Sequence, residues 1–292
     1  MTIRTRSTLL GAALAAVAVP ALPALAQEGP NTGSLSFSGS ATVTTDYFFR
    51  GILQEDQGLI IQPEGTVTAD LIESDDYSLS GYFSIWNSLH EEGTGSAGAN
   101  DQVFETDFIA GLSASAFEDW TFDVYYVWYT FPNNAFATVE EINFMVSFDD
   151  SEVWGDSVYE GFALAPYVNI AFEVENTAFG TDEGIYVELG VAPEYVVVED
   201  GDYPVTLSVP VVVGLSLDDY YDTGAAGSDD DEFGFLSVGV GASVPLPFIP
   251  SSYGSWTGYA NIDLLILGDN LEAANNGDDF EVIGSGGVAL DY

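Results

Sequence analysis

The amino-acid sequence predicts an all-β fold, a transmembrane antiparallel up-and-down β-barrel of about 12 strands. Three observations carry this. Apolar and polar residues alternate with period two along most of the chain. Within those runs one face is apolar and nearly free of charge, while the other is rich in Asp and Glu. The chain also closes on alternating Val288, Leu290 and Tyr292. A terminal aromatic in such a pattern resembles the signal read by the barrel assembly machinery of the outer membrane, which makes that machinery an expected partner through Tyr292.

The N-terminus has its own logic. Arg4 and Arg6 precede an apolar run from Thr8 to Val19, and Ala24-Leu25-Ala26 forms an A-x-A cleavage site. Residues 1–26 therefore read as a secretory signal peptide and 27–292 as the barrel. The run is too short for an anchor helix, and Pro20 and Pro23 end it.

The first strand is expected over Leu35–Phe49, with Leu35, Phe37, Ala41, Val43, Tyr47 and Phe49 opposite Ser36, Ser38, Ser40, Thr42, Thr44 and Asp46. Leu59–Leu71 follows, with Gln62, Glu64, Thr66, Thr68 and Asp70 on its polar face. Tyr77–Leu89 is lined by serines, Phe104–Ala116 by Glu105 and Asp107, and Trp120–Thr130 by Asp123. Further strands are expected at Glu140–Phe148, Leu164–Val174, Ile185–Val197, Val205–Leu217, Leu236–Leu246, Trp256–Ile266 and Phe280–Tyr292. Many exceed the ~5–6 residues usual in soluble sheets. A soluble sandwich would have to enclose all these apolar faces; lipid covers them more simply. Long polar connections (90–101, 220–232, 268–279) alternate with short ones (72–76, 117–119, 199–202), as outer and periplasmic loops do. The long 149–162 segment falls on the periplasmic side and breaks this rule. Pro63, Pro166, Pro193 and Pro210 lie inside proposed strands, where each removes a ladder hydrogen bond and implies a bulge or a different strand count there.

Charge narrows the function. The chain has 47 Asp+Glu against 3 Lys+Arg, for a formal charge of −44. Nucleic acid is excluded as a partner, since phosphate binding needs clustered cations. Without Cys there is no disulfide, Cys-ligated metal or lipid-anchored N-terminus. Disorder, the usual companion of such charge, does not fit 47% hydrophobic and 14% aromatic residues.

The expected pore lining is Asp46, Glu64, Asp70, Glu105, Asp107, Asp123, Glu141, Glu173, Glu188 and Glu194, with Arg50 as the one cation after the signal peptide. By parity Arg50 shares the lumen face with Asp46 and should sit near it. Pinning the strand to an acidic neighbour is the bland role for Arg50, and forming a constriction is the functional one. His90, followed by Glu91 and Glu92, reads as a solvated loop histidine; Ser88 two residues earlier does not by itself make a nucleophile–base pair. Asp229, Asp230, Asp231 and Glu232 offer hard oxygen ligands for weakly bound Ca2+, without EF-hand spacing, and otherwise form a solvated acidic loop. No other cofactor is expected.

The segment Thr45-Asp46-Tyr47-Phe48-Phe49-Arg50-Gly51-Ile52-Leu53-Gln54 resembles the hallmark of the TorF-type porin family, Asp-Tyr-x-Phe-Arg-Gly-Ile-Ser-Gln. Leu53 replaces the small hydroxyl residue. The resemblance implies a Gram-negative outer-membrane barrel with a porin-like role and names no substrate. Together with the acidic lumen it leads us to expect passive diffusion of small hydrophilic, cationic solutes through the outer membrane and no enzymatic activity. The alternatives are a barrel enzyme acting on lipid or peptide and a non-conducting structural or adhesive barrel.

Overall fold

The computed structural model describes residues 31, 33–91, 102–154, 162–178, 182–198, 201, 203–222 and 231–292. The expected signal peptide lies outside them. The strands are β1 (Leu35–Thr44), β2 (Tyr47–Phe49), β3 (Ile52–Glu55), β4 (Ile60–Glu73), β5 (Tyr77–His90), β6 (Val103–Ala116), β7 (Trp120–Thr130), β8 (Val139–Phe148), β9 (Tyr167–Glu175), β10 (Ile185–Val191), β11 (Glu194–Val198), β12 (Val205–Ser208), β13 (Val211–Asp218), β14 (Phe233–Pro245), β15 (Ser255–Leu267) and β16 (Phe280–Asp291). Among the described residues two short α-helices, α1 (Ser151–Trp154) and α2 (Asp269–Ala274), and a 3-10 turn at Ser251–Tyr253 lie in connections.

All ladder pairings are antiparallel, and the sheet closes on itself through β14–β15 and β1–β16. Tyr292 finishes the closing seam by exchanging two 2.8 Å backbone hydrogen bonds with Phe37. The result is a closed twelve-strand antiparallel barrel. β10 with β11, and β12 with β13, each form one wall strand interrupted at a proline, Pro193 and Pro210. The two interruptions lie side by side, for Val209 N donates to the Pro193 carbonyl at 3.0 Å. Pro63 stays within β4 opposite Ala41, and Pro166 directly precedes β9.

Period two sorts each strand into an outer and an inner face. Phe37, Val67, Phe83, Leu112, Phe122, Phe144, Val240 and Ile262 stand exposed on the outside, where lipid is their natural cover. Ser84, Asp107, Asn143, Asn169, Ser237 and Asp263 are buried inside.

One departure from the sequence reading shapes everything else. β1 ends at Thr44, which pairs directly with Ile60 of β4. Residues 45–59 are therefore an insertion between the paired ends of two adjacent wall strands. They form the β2–β3 hairpin, a separate two-stranded sheet buried among wall side chains. Asp46 and Arg50 are accordingly not strand-one residues, and the parity that placed them together does not apply.

Candidate functional site

The hairpin is dictated locally. Phe49 and Ile52 pair across a two-residue turn, Arg50-Gly51, and both turn residues have positive φ, 47° and 84°. Positive φ at both positions defines the type I′ turn, the one that matches strand twist. A Cβ on Gly51 would lie 2.5 Å from Leu271 Cδ1, so the tip admits glycine on both conformational and steric grounds.

Three successive aromatics have no polar face to present to water, and none is needed. Tyr47 and Phe49 pack with Trp86, Phe104 and Tyr129 on one side. Phe48 points the other way, among Tyr186, Tyr220, Tyr221, Phe235 and Leu271. The hairpin thus fills the interior between opposite walls, and each buried ring contributes about 1.5–3 kcal/mol.

Polar contacts lock it in place. Tyr47 Oη donates to Glu105 Oε2 at 2.7 Å. Asn275, just beyond α2, accepts from Leu53 N at 2.9 Å and donates to the Gly51 carbonyl at 2.8 Å. Tyr221 Oη donates to the Arg50 carbonyl at 3.1 Å. At the tip, Arg50 forks onto both oxygens of Glu141 on β8, Nη1–Oε1 at 2.7 Å and Nη2–Oε2 at 2.8 Å. Its Nη1 also donates to Tyr220 Oη at 2.8 Å. The guanidinium carbon lies 4.1 Å from the Tyr186 ring centroid. Glu141 is fully buried and takes further bonds from Tyr129 Oη at 3.1 Å and Asn143 Nδ2 at 3.4 Å. Such a bidentate, charge-assisted pair is the strongest hydrogen-bonding geometry available to a carboxylate.

The other expected lining residues distribute around this centre. Glu105, Asp107 and Asp123 are buried on the inner faces of β6 and β7, and Glu173 on that of β9. Glu173 holds the backbone of the next connection, accepting from Ala178 N at 2.6 Å and Gly184 N at 2.8 Å. Glu188 accepts from Tyr167 and Tyr186 hydroxyls at 2.8 and 2.7 Å. Glu64 accepts from Ser84 at 3.0 Å, and Glu194 begins β11 below the Pro193 break. Asp70 is exposed near the end of β4. Asp46 lies in the link to β2, where Thr45 Oγ1 donates to it at 2.6 Å. Arg50 is buried inside the barrel, and its partner is Glu141 rather than Asp46.

His90 corrects a second expectation. It is the last residue of β5 and is 2% exposed, stacked on Phe104 with 4.6 Å between ring centroids. Ser88 Oγ lies 2.9 Å from its Nε2, and Glu55 Oε2 of the hairpin 3.6 Å from its Nδ1. Gln62 Nε2 donates to Ser88 Oγ at 3.4 Å. A serine, a histidine and a carboxylate do meet here, inside the packed interior. Of the proposed Ca2+ ligands, Asp229 and Asp230 lie outside the described residues. Asp231 instead accepts from Phe233 N at 3.3 Å. Among the described residues no group of three acidic or histidine side chains is arranged to hold a metal.

Several solved structures superpose on the chain at low sequence identity. A bacterial polysaccharide outer membrane secretin superposes with a TM-score of 0.47 at 8% identity, covering 88% of this chain and 97% of that one. The translocator domain of autotransporter NalP from Neisseria meningitidis gives 0.43 at 12%, covering 90% and 89%. The NanC porin gives 0.38 at 11%, covering 88% and 98%. No curated protein matches the sequence. Residues 27–199, more than half the chain, match the family described as "Bacterial protein of unknown function (Gcw_chp)". The chain belongs to that bacterial family, and its twelve-strand form with an apolar exterior is an outer-membrane β-barrel.

Proposed function

We propose that this barrel is a channel for small hydrophilic cations, held shut by its own inward hairpin, and that it is not an enzyme. One observation carries the reading: the single Lys or Arg after the N-terminal segment sits at the tip of an insertion that packs against wall side chains on both sides of an otherwise acidic interior. Glu105, Asp107, Asp123, Glu141, Glu173 and Asp263 all face inward from different parts of the wall. Low-dielectric walls focus their field, which attracts cations and repels anions. The resemblance of Asp46–Gln54 to the TorF-type porins supports a transport role. The backbone pairing of Tyr292 with Phe37 suits a terminal signal for the barrel assembly machinery. Ser88 is fully buried beneath Gln62 and His90, which argues against its use as a nucleophile on lipid or peptide; labelling of Ser88 by a fluorophosphonate would reverse that judgement.

The expected electrical result is a reversal potential of the sign for cation permeation in a KCl gradient across a planar bilayer. The preference weakens as salt rises, since the Debye length falls from ~30 Å at 0.01 M to ~3 Å at 1 M. It also weakens as pH falls, because protonation of carboxylates removes the negative charge. Anion selectivity at neutral pH would overturn the reading. So would absence of conductance from a verified folded barrel lacking the hairpin, which would identify a non-conducting surface protein.

A further inference from the structure

The groups around the Arg50 guanidinium come almost entirely from the wall. Glu141 is on β8, Tyr186 on β10, and Tyr220 just after β13; Phe49 alone belongs to the hairpin. Each wall group is fixed by contacts that do not involve Arg50. Tyr129 and Asn143 orient the Glu141 carboxylate, Glu188 accepts from Tyr186 Oη at 2.7 Å, and the Tyr220 ring packs on Tyr186 and Tyr221 with centroids 5.0 and 5.1 Å away. The wall therefore presents a carboxylate fork, a hydroxyl acceptor and an aromatic face whether or not the Arg50 side chain is present. These three features match a planar guanidinium on its edge, its corner and its face.

We propose that Glu141, Tyr186 and Tyr220 form a receptor for guanidinium-bearing solutes, which Arg50 occupies as a tethered surrogate. The inference rests on the channel reading only in making such solutes the cargo, and their arrival the event that frees the hairpin. The chemistry selects within the cations. A primary ammonium is a compact, strongly hydrated point charge that cannot span both Glu141 oxygens in one plane, and K+ offers no hydrogen bonds at all. Because Arg50 is covalently attached, it competes at an effective concentration in the millimolar range. A free solute must approach that concentration to displace it, so the native protein responds to abundant cargo and ignores traces.

The test uses methylguanidine as the probe and the full-length barrel in detergent, with folding verified by heat-modifiable migration. Arg50→Ala vacates the receptor. Calorimetry should find methylguanidine binding at least about tenfold tighter than to the native protein, the tether's competition having been removed. Methylammonium and KCl at matched concentration should give no comparable signal. Adding Glu141→Gln to Arg50→Ala should abolish the binding. The hairpin-excised barrel provides a second vacant receptor and should bind like Arg50→Ala. The proposal fails if neither folded variant binds methylguanidine, if methylammonium binds as well, or if binding survives Glu141→Gln. Conductance without methylguanidine binding defeats this inference alone; binding without conductance defeats the channel reading and leaves the receptor standing.

Discussion

Excising the hairpin is expected to convert a quiet barrel into a steadily conducting one. Thr44 and Ile60 are already paired across β1 and β4, so a short Gly-containing turn can join the strands there without disturbing any wall register. Removing residues 45–59 takes Tyr47, Phe48, Phe49 and Arg50 out of the interior together. It leaves Glu105 and Glu141 facing a widened, water-accessible space. Planar-bilayer recording should show long-lived openings for the excised form, with rare or brief events for the native one. Equal, continuous conductance from both would mean that the hairpin does not obstruct the path. Silence from a folded excised barrel would mean that no path exists.

The second large effect is energetic. Glu141→Ala should destabilise the barrel by about 3–5 kcal/mol, because it strands the buried guanidinium of Arg50 without its carboxylate. Arg50→Ala should cost less, since Glu141 retains Tyr129 and Asn143 as donors. The double variant should be less destabilised than the two single effects summed, as expected for one interacting pair. Asp46→Ala provides the contrast: a residue in the connecting link bonded by Thr45 should change stability by no more than about 0.5 kcal/mol. Urea unfolding in a fixed lipid or detergent would measure all four. An Asp46→Ala effect as large as that of Glu141→Ala would contradict the pairing.

Much of this architecture was legible in the sequence because period two is imposed by the pleat and by lipid on one side. The proposed strand at Trp120–Thr130 is β7 residue for residue, and Tyr77–Leu89 differs from β5 by one. Pro193 and Pro210, expected to cause bulges, instead each split a wall strand in two, while Pro63 stays within β4. The hairpin was missed because parity was carried past Thr44. Tyr47-Phe48-Phe49 breaks the alternation with a run buried on both faces, and Arg50-Gly51 is a turn dipeptide; these were the available signals. His90 was misplaced for the opposite reason. Glu91 and Glu92 suggested a loop, although Trp86, Ser88 and His90 continue one inner face of β5. The Arg50–Glu141 pair spans 91 positions. Several acidic residues were equivalent candidates by period alone, and only the closure of the barrel brings β8 opposite the hairpin tip.

The same ion pair has a consequence for proteolysis. Beyond residue 6 the chain contains no lysine and no arginine other than Arg50. A protease that cuts after basic residues therefore has one target in the barrel, the bond between Arg50 and Gly51. That bond lies at the buried tip, with the Arg50 carbonyl bonded to Tyr221 and the Gly51 carbonyl to Asn275. Trypsin can reach it only when the hairpin leaves the interior. Susceptibility of this single bond thus reports hairpin position directly, in membranes and without any label.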